Sequence, residues 1–405
     1  MRQDYITITL GLPEFRVLKV EESQELIEVW VEKVTTHEAC PDCGRFSNEC
    51  HERRWDDVWD QPIWDKSVLL WIHKRRFECI NLRCWRRWQH QPFAESYAGV
   101  GKGQYRTYRL ERYIYRLTKR MANTDVVKEL TVCHTPISDN TVGRISQRLG
   151  DDELAGYEPG RVVAIGVDEY SIKKGHEYAT IITNPVKHTV IETFPGRDKE
   201  TVQAHLVALF PPKSIKLAVI DMSRTFQSGV LAAFPGIKII IDKFHVVAVI
   251  IDALDETRKR VQHNKPPGQK RPIYRLRKLL RKGQEKLNDE ERERLCSALL
   301  GEPELRVAYQ LKEDFRSWYT LRIPEEAARQ LPRWCQCAEA SGFPEWQEAV
   351  QTIRNWEPEI LNYFYWPLTN GFTEGSNNLV KVVKRRGYGY RNFGNLRRRI
   401  LLEGT

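Results

Sequence analysis

Between Arg161 and Lys174 the chain reads RVVAIGVDEYSIKK. Val162, Val163, Ala164, Ile165 and Val167 form an apolar run too short for a helix and bounded by turn residues, which is the pattern of a strand buried on both faces. Such a strand belongs inside a sheet flanked by helices, so this stretch constrains the fold more than any other. The run is expected to end on Asp168, followed by Glu169 and a basic turn. A carboxylate at the tip of a central strand is costly to bury unless something positive pairs with it. Two later stretches offer carboxylates for a shared cation. KLAVIDMSRTF ends a second apolar strand on Asp221, and NGFTEGSNNLVKVVKRR opens a helix on Glu374. Two strand-end aspartates and one helix-start glutamate are hard oxygen ligands suited to paired Mg²⁺ or Mn²⁺ ions.

At 405 residues the chain is long enough for two to four domains, and 41% hydrophobic residues supply real cores. The net charge of +10, from 64 Lys+Arg against 54 Asp+Glu, suits a polyanionic partner. No apolar run approaches the roughly eighteen residues needed to span a bilayer, and the start, MRQDYITITLGL, lacks a signal peptide's apolar core. No membrane partner is expected. Nine cysteines, four of them in close pairs, point to metal binding in a reducing cytoplasm rather than to disulfides.

Residues 5–35 alternate as strands do: ITITLGL, FRVLKVEES and LIEVWVEKV. Cys40-Pro-Asp-Cys43-Gly is a tight knuckle, and Cys79-Ile-Asn-Leu-Arg-Cys84 a looser one. Two such pairs match a tetrahedral structural Zn²⁺ site. Cys50, His37, His51, His73 and His90 are spare ligands nearby. Trp55, Trp59, Trp64 and Trp71 are expected to pack the small zinc-stapled core. Residues 105–150 read as three helices, the third capped by Ser138. In that helix Val142, Ile145 and Leu149 point inward. Asn140, Thr141, Arg144 and Arg148 point outward, as a DNA-recognition helix of a helix-turn-helix requires; a plain helical bundle fits the same pattern, and the basic charge beside the zinc unit favours DNA. DDELAGYEPG follows as an acidic linker.

Next come three strands in hairpin order (161–168, HEYATIIT, HTVIETFPG), then helix 198–210, strand 215–221, helix 223–233 and strand GIKIIID, ending on Asp242. That order predicts a mixed sheet flanked by helices, the ribonuclease-H-like arrangement. Asp221 and Asp242 both end apolar strands. In that arrangement the strand ending on Asp221 adjoins the one carrying Asp168, while Asp242 lies one strand, about 4.8 Å, further out. Asp221 is therefore expected to hold the metal, with Asp242 and His245 supporting it from behind. Residues 246–366 read as helical, with Trp318, Trp334, Trp346, Trp356 and Trp366 in their core. In the last predicted helix Glu374, Asn378, Lys381 and Arg385 share one face, and Leu379, Val382 and Val383 face the sheet. Lys381, Lys384, Arg385, Arg386 and Arg391, interleaved with aromatics, suit a DNA backbone. The reading is a multidomain α+β chain. A β/zinc unit spans 1–100 and a helix-turn-helix 101–150. The ribonuclease-H-like core occupies 151–245, is interrupted by a helical insertion at 246–366, and closes with 367–405.

Together these blocks closely resemble the ISL-three family of bacterial insertion-sequence transposases over nearly the whole chain. The likeness rests on both cysteine knuckles, GVDEYSIKKGHEYAT, Gly-Arg-Asp-Lys-Glu at 196–200, IDMSRTF, IDKFHVV and NGFTEGSNNLVKVVKRRGYGYRNF. It implies a DDE triad at Asp168, Asp221 and Glu374, with the 152 residues between the last two as an insertion. Asp242-x-x-His245 resembles the C/D-x-x-H signature of related families, and Lys381 matches a basic position seven residues past the glutamate. The implied activity is cleavage of the element's inverted-repeat ends and strand transfer into target DNA, by a homodimer or larger oligomer in the bacterial cytoplasm, at the nucleoid. Two Mg²⁺ ions about 4 Å apart would clamp the attacking and leaving oxygens. Two other readings share these features: a transposase-derived DNA-binding repressor, and a ribonuclease-H-like host nuclease.

Overall fold

The computed structural model describes residues 11–101, 103–156, 161–173, 175 and 177–404. Most of the strand expected at ITITLGL, together with Lys174, His176 and the YEPG part of the linker, lies outside them. The chain divides into two compact units, residues 1–157 with 383–402, and residues 158–382 with 403–405.

In the first unit, β1 (Phe15–Glu22), β2 (Leu26–Lys33), β5 (Cys50–Ile63) and β6 (Lys66–Phe77) form a sheet in the order β1-β2-β6-β5. The short strands are β3 (Glu38–Ala39), β4 (Phe46–Ser47) and β7 (Phe93–Ala94); β7 pairs with β6, and β3 with β4. Strict alternation makes the sheet one-sided: Ile27, Val29 and Val31 of β2 are buried with Val58, Val68, Leu70 and Ile72. Each fully buried side chain of this size contributes about 1.5–3 kcal/mol. After α1 (Trp85–Trp88) come α2 (Tyr108–Thr118), α3 (Asn123–Val132) and α4 (Asp139–Ala155). They pack around Leu110, Ile114, Val126, Leu130, Val142 and Ile145. The buried carboxylate of Asp60 joins sheet to helices, accepting from Thr107 Oγ1 at 2.6 Å and from Arg109 Nε at 2.7 Å. Thr107 in turn caps α2.

Two expectations change here. The acidic DDELA segment is not linker but the last turns of α4. It is held there because Arg398, on the chain's last helix (Phe393–Gly404), bonds Asp151 at 2.5 Å. The tryptophans do not pack the zinc core. Trp55 and Trp64 are exposed, Trp59 packs on the three helices, and Trp71 stacks on Trp30. Phe77 and Phe93 take that place.

In the second unit, β8 (Ala164–Lys173), β9 (Glu177–Asn184) and β10 (Thr189–Pro195) form antiparallel hairpins. They are followed by α5 (Lys199–Leu209), β11 (Leu217–Ile220), α6 (Arg224–Ala233), β12 (Lys238–Ile241) and α7 (Lys243–His263). The sheet order is β10-β9-β8-β11-β12, with β11 parallel to both β8 and β12. Then come α8 (Pro267–Arg275), α9 (Arg277–Arg281), α10 (Asp289–Leu300), α11 (Pro303–Trp318), α12 (Pro324–Ala340), α13 (Pro344–Asn355), α14 (Glu357–Tyr365) and α15 (Gly371–Arg386). One continuous apolar core runs from Ile165 and Val167 of the sheet into Phe315, Trp318, Trp334, Trp346 and Trp356 of these helices. The buried indole N–H groups are satisfied; Trp346, for example, donates to Thr257 Oγ1 at 3.0 Å. Trp366 is only half-buried.

Candidate functional site

β8 does not end at Asp168. It runs on to Lys173, because β9 continues to pair with it: Asp168 faces Ile181 and Tyr170 faces Ala179. What ends is its other neighbour. β11 pairs with β8 only as far as Ile220–Val167, so Asp168 is the first residue of β8 beyond the parallel ladder, and Asp221 is the first beyond β11. Parallel register thus sets the two carboxylates side by side. Burial, and then the Asp221 charge, push the Asp168 carboxyl up to about 7. Oδ1 of Asp221 is buried and has no hydrogen-bond partner among the described residues. Two hard carboxylates that repel one another, one with an orphaned oxygen, are a donor set that fits a divalent cation.

The position of α15 depends on the absence of a side chain. Gly166 is two residues before Asp168, hence on the same face of β8. A Cβ there would lie 2.6 Å from Thr183 Oγ1, 2.6 Å from Thr373 Oγ1 and 2.7 Å from Asn370 Oδ1. Through this gap α15 docks on the strand, its Thr373 hydroxyl 2.7 Å from that of Thr183. Its buried stripe is Thr373, Ser376, Val380 and Val383. Of the expected stripe of Leu379, Val382 and Val383, Val383 is buried, Leu379 is half-buried and Val382 is 39% exposed. In this phase Asn377 meets the carboxylate: its Nδ2 donates to Asp168 Oδ2 at 2.7 Å and to the Glu169 carbonyl at 3.3 Å. Glu374, one turn earlier, is exposed. Among the described residues, Asp168, Asp221 and Glu374 do not form a set with ligand atoms all within 4.8 Å. Sequence reasoning missed Asn377, although its place three residues past Glu374, one turn along the same helix, was a usable signal.

His245 links the two strand-end aspartates of β11 and β12. Its Nε2 is 2.9 Å from Asp221 Oδ2 and its Nδ1 3.3 Å from Asp242 Oδ2. Hydrogen bonds to these carboxylates, Asp221 first, raise the imidazole to about 10. Asp242, at 1% exposure, also accepts from the Asn370 backbone N–H at 3.2 Å. Asp242 is therefore tied into the floor of the site by short local contacts, while Asp221 keeps a free oxygen.

The cysteines form a second, separate cluster in the first unit. The sulfurs of Cys40, Cys43, Cys79 and Cys84 all lie within 4.8 Å of one another. Cys40 and Cys84 are 4.0 Å apart, and Cys43 and Cys79 3.6 Å apart. Cys40, Cys79 and Cys84 are buried and Cys43 is exposed. Burial pushes the Cys79 thiol up to about 12, while the Arg45 backbone N–H and the Asn81 side chain bring Cys43 down to about 6. Four sulfurs at this spacing fit a tetrahedral zinc. The arginines beside the second pair are engaged: Arg86 pairs with Asp42, and Arg87 with Glu49 and Glu78.

Of the residues expected to meet DNA, Asn140 and Arg144 on α4 are exposed, and Ser138 caps the helix as expected. Arg148 is held by the buried Glu111 of α2, and Thr141 Oγ1 lies 2.9 Å from Ser138 Oγ. Lys381 bonds Asn378 at 3.1 Å, Arg385, Arg386 and Arg391 are exposed, and burial holds the Lys384 ammonium below its usual range.

No helix among the described residues is long and apolar enough to cross a membrane. A transposase family model, that of the ISL3-type DDE enzymes, matches residues 165–400, more than half of the chain. The transposase for insertion sequence element IS1001 of Bordetella parapertussis is 27% identical over 387 residues, 93% of this chain and 91% of its own length. The transposase for insertion sequence element IS1557 of Mycobacterium tuberculosis is 25% identical over 327 residues, covering 74% and 71%. A shorter likeness, 34% over 104 residues, is to a Lactococcus lactis protein described as an ATP-dependent protease; it covers 26% of this chain. Matched from the first strand of the sheet to the end of the basic C-terminal segment, the chain belongs to the ISL3 family of DDE transposases.

Proposed function

We propose that this chain binds the terminal inverted repeats of its insertion sequence and catalyses metal-dependent cleavage and strand transfer. The observation that carries the reading is the pairing of Asp168 with Asp221 at adjacent strand positions, with an oxygen left unpartnered. The sheet order and directions support a ribonuclease-H-like core over 151–245 and 367–405, interrupted by the helices of 246–366. Asp168 and Asp221 would hold Mg²⁺ or Mn²⁺, with Glu374 completing the set when DNA is bound. The ions would supply charge neutralisation at the scissile phosphate. Asp242 and His245 hold Asp221 from behind. The four cysteines would hold one structural Zn²⁺. The zinc unit (1–100) and the three-helix unit (101–150, as a helix-turn-helix) would read the ends through Asn140, Thr141, Arg144 and Arg148. Lys381, Lys384, Arg385, Arg386 and Arg391 would track phosphates, as a homodimer or larger oligomer brings element ends to target DNA at the nucleoid.

The decisive experiment is incubation of the purified chain with a duplex carrying the element's ends. Nicking at the repeat terminus with Mg²⁺, none from the zinc-loaded chain without added Mg²⁺ or Mn²⁺, and none from Asp168→Asn despite wild-type end binding are the expected results. Metal-independent cleavage, or an Asp168→Asn protein that still cuts, would refute the reading. Replacing the five basic residues should reduce the slope of log affinity against log salt by about 0.9 for each phosphate no longer neutralised.

A further inference from the structure

The Asp168 carboxylate is held on both oxygens: Oδ1 accepts from the Glu169 backbone N–H at 2.7 Å, and Oδ2 from Asn377 Nδ2 at 2.7 Å. The second partner of the Asn377 amide is the Glu169 carbonyl. Both neighbours are acceptors, which fixes the orientation of the amide with nitrogen inward. Its oxygen, Oδ1, is then buried and has no donor among the described residues, as is Oδ1 of Asp221. A buried acceptor without a donor is uncommon in a folded protein and calls for an explanation. Two of them on groups converging at one carboxylate mark a place built to receive donors that arrive from outside.

We propose that Asn377 is a positioning residue for Asp168. Its N–H group locks the carboxylate rotation in the orientation that receives a divalent cation, and its carbonyl oxygen accepts from water carried in with that cation. The inference rests on Asp168 and Asp221 being cation ligands, and adds a device that none of the three carboxylates provides. Because the same amide fastens α15 to β8, it also ties the helix bearing Glu374 to the carboxylate that Glu374 is to join.

The test uses the full chain, its cysteine site zinc-loaded, and Mn²⁺ alone, titrated by calorimetry and by the electron paramagnetic resonance signal of free Mn²⁺, with thermal melting without added Mn²⁺ or chelator as the measure of folding. Asp168→Asn should abolish the binding. Asn377→Leu keeps the volume but neither donates nor accepts, and should weaken Mn²⁺ affinity at least about tenfold. It should also lose most of the Mn²⁺-induced rise in melting temperature. A purely structural Asn377 would lower the melting temperature without Mn²⁺ while leaving the affinity of the folded protein unchanged, and that result would overturn the proposal. Should the leucine variant not fold, Asn377→Ser decides by the same two numbers. Wild-type Mn²⁺ affinity in Asp168→Asn would instead remove the underlying assignment of Asp168, a failure distinguishable from that of Asn377.

Discussion

The cysteine cluster and the carboxylate cluster are both sets of metal-type ligands, assembled in opposite ways. The cysteines come as two pairs, each closed by its own short knuckle, and four sulfurs lie within 4.8 Å with three of the residues buried. The three buried members, Cys40, Cys79 and Cys84, pack with Phe77 and Phe93 as small apolar groups, while Cys43 stays at the surface. The carboxylates of Asp168, Asp221 and Asp242 come from separate strand ends, brought together by strand order and by His245. Their mutual repulsion, added to burial, shows in the raised Asp168. The three aspartates are restrained by protein groups: Asp168 by Asn377, Asp221 and Asp242 by His245. A structural metal site closes around its ion with four protein ligands, whereas a catalytic one leaves positions open for substrate. The two clusters differ in the corresponding way.

If that contrast holds, stripping metal acts on folding at one cluster and on chemistry at the other. The largest expected effect is at the cysteines. Structural zinc contributes about 10–16 kcal/mol of apparent binding free energy that is also folding free energy. Cys40→Ser or Cys84→Ser should leave the β5–β6 region open to limited proteolysis and reduce zinc from one per chain to none by atomic absorption. A fully zinc-loaded, protease-resistant Cys40→Ser protein would show that the knuckles are not a single closed site.

At the carboxylates the prediction separates two aspartates. Asp221→Asn keeps shape and loses charge, so cleavage should fall by at least about a thousandfold, as loss of several kcal/mol of metal-borne stabilisation requires, with melting nearly unchanged. Asp242 is buried against His245 and the Asn370 N–H, so Asp242→Asn should cost about 1–3 kcal/mol of stability and reduce cleavage much less. Reversal of the two results would mean that β12, and not β11, carries the second ligand.

Much of this is legible in the sequence because it is local or periodic. The strands of the second sheet, β1 and β2 of the first, the Ser138 cap and the cysteine set follow from apolar runs, alternation, capping chemistry and pair spacing within short stretches. Apolarity misplaces the end of β8 because it stops at Val167, where the β11 ladder stops, although pairing to β9 carries the strand on. It also places only Val383 of the buried face of α15 correctly, because that stripe opens with Thr373 and Ser376, polar residues that no hydrophobic pattern selects. The approaches of Asn377 to Asp168 and of Thr373 to Gly166 cannot be read from sequence at all. Both depend on two backbones approaching closely across some 200 residues, and only the strand order permits it.

The smallest effect tests that approach directly, and its sign differs between two glycines. At Gly166 the atoms a methyl group would strike are the Thr183 and Thr373 hydroxyls, bonded to each other and fully buried, and the Asn370 side chain, also buried. None is the loose end of a long side chain, so α15 itself must move. Overpacking of this kind costs about 1–3 kcal/mol, a fall of roughly 2–4 °C in melting temperature per kcal/mol for a unit of this size. Because the displaced helix carries Asn377 and Glu374, Gly166→Ala should lose more cleavage than its stability loss explains when assayed well below its melting temperature. Gly375 lies on the same helix, exposed, with nothing within 4 Å of an added Cβ. Gly375→Ala therefore gains helix propensity without a clash and should stabilise by about 0.5–1 kcal/mol. Thermal melts of the two variants check both signs at once. A neutral Gly166→Ala would mean that α15 does not rest on β8 through this gap. The carboxylate cluster would then lack the docking between distant elements that, unlike the local knuckles of the cysteines, brings Asn377 to Asp168.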